Sequence, residues 1–317
     1  MDDWLRLAVE HETVYRYGAA VEFAHHLAFL RPLRDANQQL EAFELTVQPP
    51  PSHRSSGFDA WGNARTFFSV TGPHDTLQVL SMSQVRTSPR FAGLDAAASP
   101  SWQAVRERLR YAAGAPYDAA AEFVAASPYV PLDPVLLDYA RSSFATGRPL
   151  AQAAIELMHR VHGEFRYEAA STEVHTPVMQ AFAQRRGVCQ DFSHVMIGAL
   201  RGLGLAVRYV SGYLLTRGDS VDGAAGPTMV GADASHAWVS VYCPQTPGVP
   251  GGWLDLDPTN DCVPAAGHVR LAVGRDYGDV APLRGVIRGG GRHTLTVRVS
   301  TRLGPPTVQV GAGVQLA

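Results

Sequence analysis

From residue 5 to residue 17 the chain alternates. Leu5, Leu7, Val9, His11, Thr13, Tyr15 and Tyr17 fall on one side, and Arg6, Glu10, Glu12 and Arg16 fall on the other. Period two over that length predicts a half-buried β-strand. The pattern recurs over residues 21–30, 42–47 (Phe43, Leu45 and Val47 inward), 64–70 and 77–85. Pro49-Pro50-Pro51, Gly62-Asn63 and Gly72-Pro73 supply turn chemistry between these stretches. Several short strands at such spacing predict a small antiparallel sheet or sandwich.

Near Ser99 the period changes. Residues 102–111 and 134–143 read as helices, the second with Asp133 as N-cap and Pro134 at the first helical position. Residues 150–161 place Ala154, Leu157, Met158 and Val161 on one helical face. The tail returns to alternation at Leu295, Val297 and Val299, after a flexible Gly289-Gly290-Gly291. A terminal strand is unstable alone, so pairing with the amino-terminal sheet is expected. Four regions follow: a β-rich domain over 1–90, a helical connector over 91–149, a core of mixed helices and strands over 150–285 and carboxy-terminal strands over 286–317.

Composition narrows the class of function. The chain has 317 residues, 46% hydrophobic and 18% charged, with a net charge of −2. That balance lacks the basic footprint of a nucleic-acid or polybasic membrane binder. No apolar run reaches the roughly 18 residues of a membrane span, and the acidic start Met1-Asp2-Asp3-Trp4 is unlike a secretory signal. Cys189, Cys243 and Cys262 form no CxxC pair, which argues against a disulfide framework or a cysteine-rich zinc site. A soluble, cytoplasmic chain without cofactor or metal is the expectation. The adjacent His25 and His26 would face opposite sides of a strand, which is no metal geometry.

The chemistry concentrates after Gly187. Phe192, Met196, Leu200 and Leu203 recur at helical spacing, and Gly202 and Gly204 mark the helix end. Cys189 therefore stands at or beside a helix amino terminus, where unpaired N–H groups favour the nucleophilic thiolate and a developing oxyanion. The competing reading is a buried structural cysteine. Farther along, His236, Trp238, Ser240 and Tyr242 share one side of a strand. After a loop rich in Pro and Gly, Trp253, Asp255 and Asp257 share one side of the next. Opposed side chains in such a hairpin lie about 5 Å apart, so a carboxylate, Asp255 or Asp257, can orient the His236 imidazole beside the Cys189 thiol. The competing reading makes these ordinary strand residues.

Gly187-Val188-Cys189-Gln190-Asp191-Phe192, Arg208-Tyr209-Val210-Ser211-Gly212-Tyr213, His236-Ala237-Trp238 and Asp257-Pro258-Thr259-Asn260 resemble the core of the bacterial transglutaminase-like superfamily. Val273-Gly274-Arg275-Asp276-Tyr277-Gly278-Asp279-Val280 is typical of the same branch, and the first 90 residues resemble its β-rich amino-terminal region. The resemblance implies an α+β fold. In it, a papain-like, transglutaminase-like core packs the Cys-bearing helix on an antiparallel sheet bearing His and Asp, beside an amino-terminal β-sandwich-like domain. It implies Cys189 as nucleophile, His236 as base and Asp257, the carboxylate before Pro-Thr, as orienter, with Asp255 second. Eukaryotic members hold the oxyanion with an upstream tryptophan indole. No equivalent is placed here, and the Cys189 backbone N–H is the candidate donor.

The resemblance further implies a cysteine protease or amidase acting on a peptide or protein through a thioester acyl-enzyme. The alternatives are amine transfer to protein glutamine (a transglutaminase) and a non-catalytic peptide-binding module. Around the triad, Asp191 suits the helix dipole, His194 reads as a hydrogen-bonded structural histidine, and Trp238 reads as core. Asp276, Tyr277 and Asp279 lie on a loop able to reach the cleft.

Overall fold

The alternation at the amino terminus does produce a strand, and that strand runs on well past Tyr17. In the computed structural model, which describes residues 4–114, 116–169, 175–215, 229–231 and 235–304, β1 spans Leu5–Ala28, β2 Gln38–Gln48, β3 His53–Phe58 and β4 Ala64–Thr87. Two expected pairs of short strands are thus two 24-residue strands. The turn signals between them are absorbed as irregular pairing. The β1–β4 register shifts between Arg16 and Val21 and again before Phe23, opposite the stretch where Gly72 takes φ 118°. Bulges of this kind bend a ribbon without ending it.

The bend gives the ribbon two arms. β2 pairs with one end of β4 and β3 with the other, all antiparallel. Ala24, Phe68 and Val70 from one arm share a hydrophobic cluster with Leu45, Val47, Leu77 and Val79 from the other. The packing is sandwich-like although one hydrogen-bonded sheet makes both layers.

Helices α1 (Trp102–Arg108), α2 (Pro134–Arg141) and α3 (Leu150–Glu164) follow. Asp133 Oδ1 accepts from the Val135 N–H at 2.8 Å, the cap its position predicts. A two-residue pair, β5 (Arg166–Tyr167) and β6 (Arg186–Gly187), brackets α4 (Val178–Gln184) and leads into α5 (Cys189–Gly202). The second sheet is antiparallel in the order β10-β7-β8-β9, built from β7 (Val207–Leu214), β8 (His236–Tyr242), β9 (Trp253–Leu256) and β10 (His268–Gly274). Every residue of β8 is buried, because α5 packs against it and β7 and β9 flank it. After the short α6 (Tyr277–Val280), β11 (Leu283–Gly289) and β12 (His293–Leu303) both pair with β1. The glycines between them, Gly289, Gly290 and Gly291, all take positive φ.

Side-chain amides lock the two sheets together. The outer edge of β10 carries backbone groups that a further strand would satisfy. Gln38 instead donates to the Arg270 carbonyl and accepts the Arg270 N–H, each at 2.8 Å. Asn63 does the same for Val273, at 2.7 and 2.8 Å. A buried contact at 2.8 Å joins His11 of β1 to the Tyr213 hydroxyl of β7.

Gly212 sets the spacing inside the second sheet. It pairs with His236, and a Cβ there would stand 2.2 Å from the Val269 carbonyl and 2.4 Å from the Trp238 ring. Gly212→Ala is therefore expected to destabilise the protein by about 1–3 kcal/mol through overpacking, read as a lower urea midpoint at unchanged slope.

Candidate active site

Helix α5 begins at Cys189, so its sulfur stands at the end where backbone N–H groups are unpaired. Asp191 holds the preceding backbone in place: its Oδ2 accepts the Val188 N–H at 2.8 Å. Behind the cysteine the helix is apolar and buried, with Phe192, Val195, Met196 and Leu200 packed in the main core.

His236 opens β8 and is buried. Its Nε2 lies 2.8 Å from Asp257 Oδ2, and since a carboxylate only accepts, the proton between them belongs to the imidazole. With Nε2 committed, Nδ1 is the nitrogen open to the thiol. Among the described residues no hydrogen-bond partner occupies it, and the charge of the Cys189 sulfur acts on the ring. Burial opposes charge on this ring. The Asp257 carboxylate and the Cys189 sulfur outweigh it and push the imidazole up to about 10.

Asp257 comes from just past the end of β9. An isolated antiparallel bridge to Cys262 fixes its backbone, with Asp257 N–H to the Cys262 carbonyl at 2.9 Å. The side chain is wholly buried and accepts from many sides. Oδ1 takes the Thr259 and Asn260 N–H groups at 3.0 and 3.2 Å. Oδ2 takes the Asn260 amide and His236, both at 2.8 Å, and lies 3.3 Å from His268 Nε2. Burial alone would raise this carboxyl. The two imidazoles hold it far below the ordinary carboxylate range. Cys189, His236 and Asp257 are thus brought together.

Asp255, the other carboxylate that alternation allows, sits elsewhere. It pairs across from Ser240 in β9 and its charge acts on Arg208. Alternation groups Asp255 with Asp257 only while the strand lasts, and β9 ends at Leu256.

Aromatic residues wall the site. Trp238 is fully buried, with ring centroids 6.0 Å from His236 and 5.3 Å from His268. Tyr209 and Tyr277 both feel the Cys189 sulfur. Burial, above all, pushes Tyr277 up to about 12. His194 is buried beneath them and its Nε2 accepts the Tyr277 N–H at 3.2 Å. Burial lowers it to about 3, so it is a neutral structural ring. Asp276 caps α6 through the Gly278 N–H and also accepts the Tyr129 N–H, while Asp279 pairs with Arg275. His25 bonds Ser69 Oγ at 2.8 Å, and His26 stacks on Phe68.

Three residues around Asp257 escape a reading of local pattern: Asn260, Cys262 and His268. Asn260 belongs to the quoted Asp-Pro-Thr-Asn motif, which is the signal available for it. His268 opens a different strand, and only the sheet order brings it to Asp257.

Residues 7–86 match the bacterial transglutaminase-like N-terminal region, and residues 138–258, which include Cys189, His236 and Asp257, match the transglutaminase-like superfamily. An uncharacterized protein of Mycobacterium tuberculosis is 40% identical over 284 residues, spanning 89% of this chain and 87% of its own. The chain belongs to the transglutaminase-like superfamily. An uncharacterized Mycobacterium leprae protein is 32% identical to this transglutaminase-like chain over 301 residues, 94% of the chain and 99% of the relative. A Cytophaga hutchinsonii crystal structure named "Putative Cysteine Protease" shares the transglutaminase-like fold at a TM-score of 0.70 and 20% identity. It covers 95% of this chain and 91% of its own.

Proposed function

We propose that this protein is a cysteine peptidase or amidase in which Cys189 is the nucleophile, His236 the acid–base group and Asp257 its orienter. One observation carries the reading: a buried imidazole fixed at 2.8 Å by a buried carboxylate, near enough to a thiol at a helix start to feel its charge. Membership of the transglutaminase-like superfamily and the name given to the Cytophaga hutchinsonii neighbour support it.

The Cys189 thiolate attacks a peptide or carboxamide carbonyl carbon, and the negative charge moves onto oxygen near the start of α5, where the Cys189 N–H is the donor. The C–N bond then breaks. His236 passes its proton to the departing amine, and a thioester remains on Cys189. Water attacks the thioester, His236 takes a proton from it, and the C–S bond breaks to release the carboxylic acid and return the Cys189 thiolate beside a protonated His236. Tyr209 and Tyr277 lie near enough to the sulfur to feel its charge.

Amine in place of water would make the same intermediate a transglutaminase intermediate. Incubating the protein with peptides, and separately with a labelled amine plus a glutamine-bearing protein, separates the two. The expected result is cleavage that Cys189→Ala loses. Amine incorporation without cleavage overturns the hydrolase assignment, and neither reaction, with a folded protein, overturns the enzyme.

A further inference from the structure

Asp257 has further company beside His236. Asp257, Cys262 and His268 each offer one ligand atom, and these atoms all lie within 4.8 Å of one another. The bridge between Asp257 and Cys262 holds the first two in place by backbone, and His268 is fixed as the first residue of β10. Cys262 is a free, half-buried thiol, while Asp257 and His268 are buried. We propose that these three side chains form a site for a zinc-class divalent cation, and that the ion, once bound, withdraws Asp257 from His236.

Ligand type selects the ion class. One thiolate, one imidazole and one carboxylate suit zinc or a similar borderline-soft cation, whereas calcium and magnesium require oxygen shells. Geometry agrees. The 3.3 Å between His268 Nε2 and Asp257 Oδ2 exceeds the roughly 2.7–2.9 Å of a charge-assisted hydrogen bond. It equals the edge of a tetrahedron, about 3.3 Å, whose nitrogen and oxygen ligands stand about 2.0 Å from a central ion. The other ring nitrogen, Nδ1, is buried and has no partner among the described residues. No hydrogen bond is given up there when the proton moves to Nδ1 and Nε2 becomes the ligand. The partial exposure of Cys262 leaves room for water at a fourth position.

The step is a ligand exchange without redox change. The Cys262 S–H bond breaks, its proton goes to solvent, and sulfur, Nε2 and Oδ2 bond the ion, so one proton is released per ion bound. Oδ2 is the same oxygen that holds His236. Coordination takes up its charge and loosens its grip on the imidazole. This consequence rests on the role proposed for Asp257 above.

The probe is cobalt(II), added to the full-length chain carrying Cys189→Ala so that the triad sulfur cannot contribute. The expected result is one equivalent bound with a thiolate-to-cobalt absorption band and release of one proton. Adding Cys262→Ser should abolish the band, and His268→Gln should weaken binding at least tenfold. A missing band with Cys189→Ala, or the same band with Cys262→Ser present, overturns the site. Thermal melts confirm folding, and a variant that fails to fold is replaced by Cys262→Ala. In the unmutated protein, zinc should slow alkylation of Cys189 reversibly, and Cys262→Ser should remove that sensitivity. Equal slowing in both overturns the coupling to the triad. A cobalt band in a chain that cleaves no peptide would retain the metal site and remove the peptidase assignment.

Discussion

Cys189→Ala is expected to abolish peptide turnover, a loss of about 10⁴-fold or more, and His236→Ala to slow alkylation of Cys189 by iodoacetamide about 100-fold at neutral pH. The thiols differ enough for the second measurement to be clean. Burial pushes the Cys243 thiol far up, and burial together with the nearby Asp257 and Asp261 charges pushes Cys262 up to about 12. Mass mapping of a brief, neutral alkylation should find the label on Cys189.

The pH dependence follows from the directions of the two shifts. His236 in the folded protein is raised from 6.5 to about 10. The stability its charge confers is therefore complete below about 6.5 and lost as pH rises through about 10. Asp257 is lowered, so its contribution is present above its unfolded value of 3.8 and lost as pH falls. Neutral solution lies inside both windows. The difference between the parent protein and His236→Ala should narrow as pH climbs through about 10, where the imidazolium is lost. A difference that stays constant with pH counts against the pairing.

The second large effect concerns a residue remote from any reacting atom. Arg201, near the end of α5, is about 1% exposed. Its guanidinium donates to the Phe123, Val207 and Arg275 carbonyls at 2.9, 2.8 and 2.7 Å and to Ser127 Oγ at 3.1 Å. Burial lowers it to about 10, which leaves it charged at neutral pH. One side chain thus ties together the connector after α1, the start of β7 and the segment entering α6. Arg201→Ala strands those acceptors in the interior and is expected to cost about 3–5 kcal/mol. That is a large part of the roughly 5–15 kcal/mol that holds a typical domain folded. Urea denaturation measures it directly, and a change below about 1 kcal/mol would show that water replaces the guanidinium.

Much of this molecule was legible from residue order, and the failures have physical causes. Alternation locates β1, β2, β8 and β9, and apolar spacing locates α3 and α5, because burial of one face imposes the period. The continuity of β1 and β4 was hidden. Gly72 and Pro73 read as a turn in isolation, whereas neighbouring strands can carry a ribbon through a bulge. β3 carried no signal at all, since each of its residues is exposed. At the site, helical spacing reached Cys189 and alternation reached His236 but left Asp255 and Asp257 equivalent, and only the motif before Pro-Thr separates them. Cys262 and His268 lie beyond any local rule. Their approach to Asp257 is a product of a tight bridge and of strand order, both long-range outcomes.

The amide clamps of Gln38 and Asn63 bear on how such a chain can be dissected. By imitating a missing neighbour along β10, they let an open lattice end without inviting another molecule to complete it. A fragment cut to residues 150–285 would carry that row bare, and would be prone to stick to copies of itself before its chemistry could be assayed.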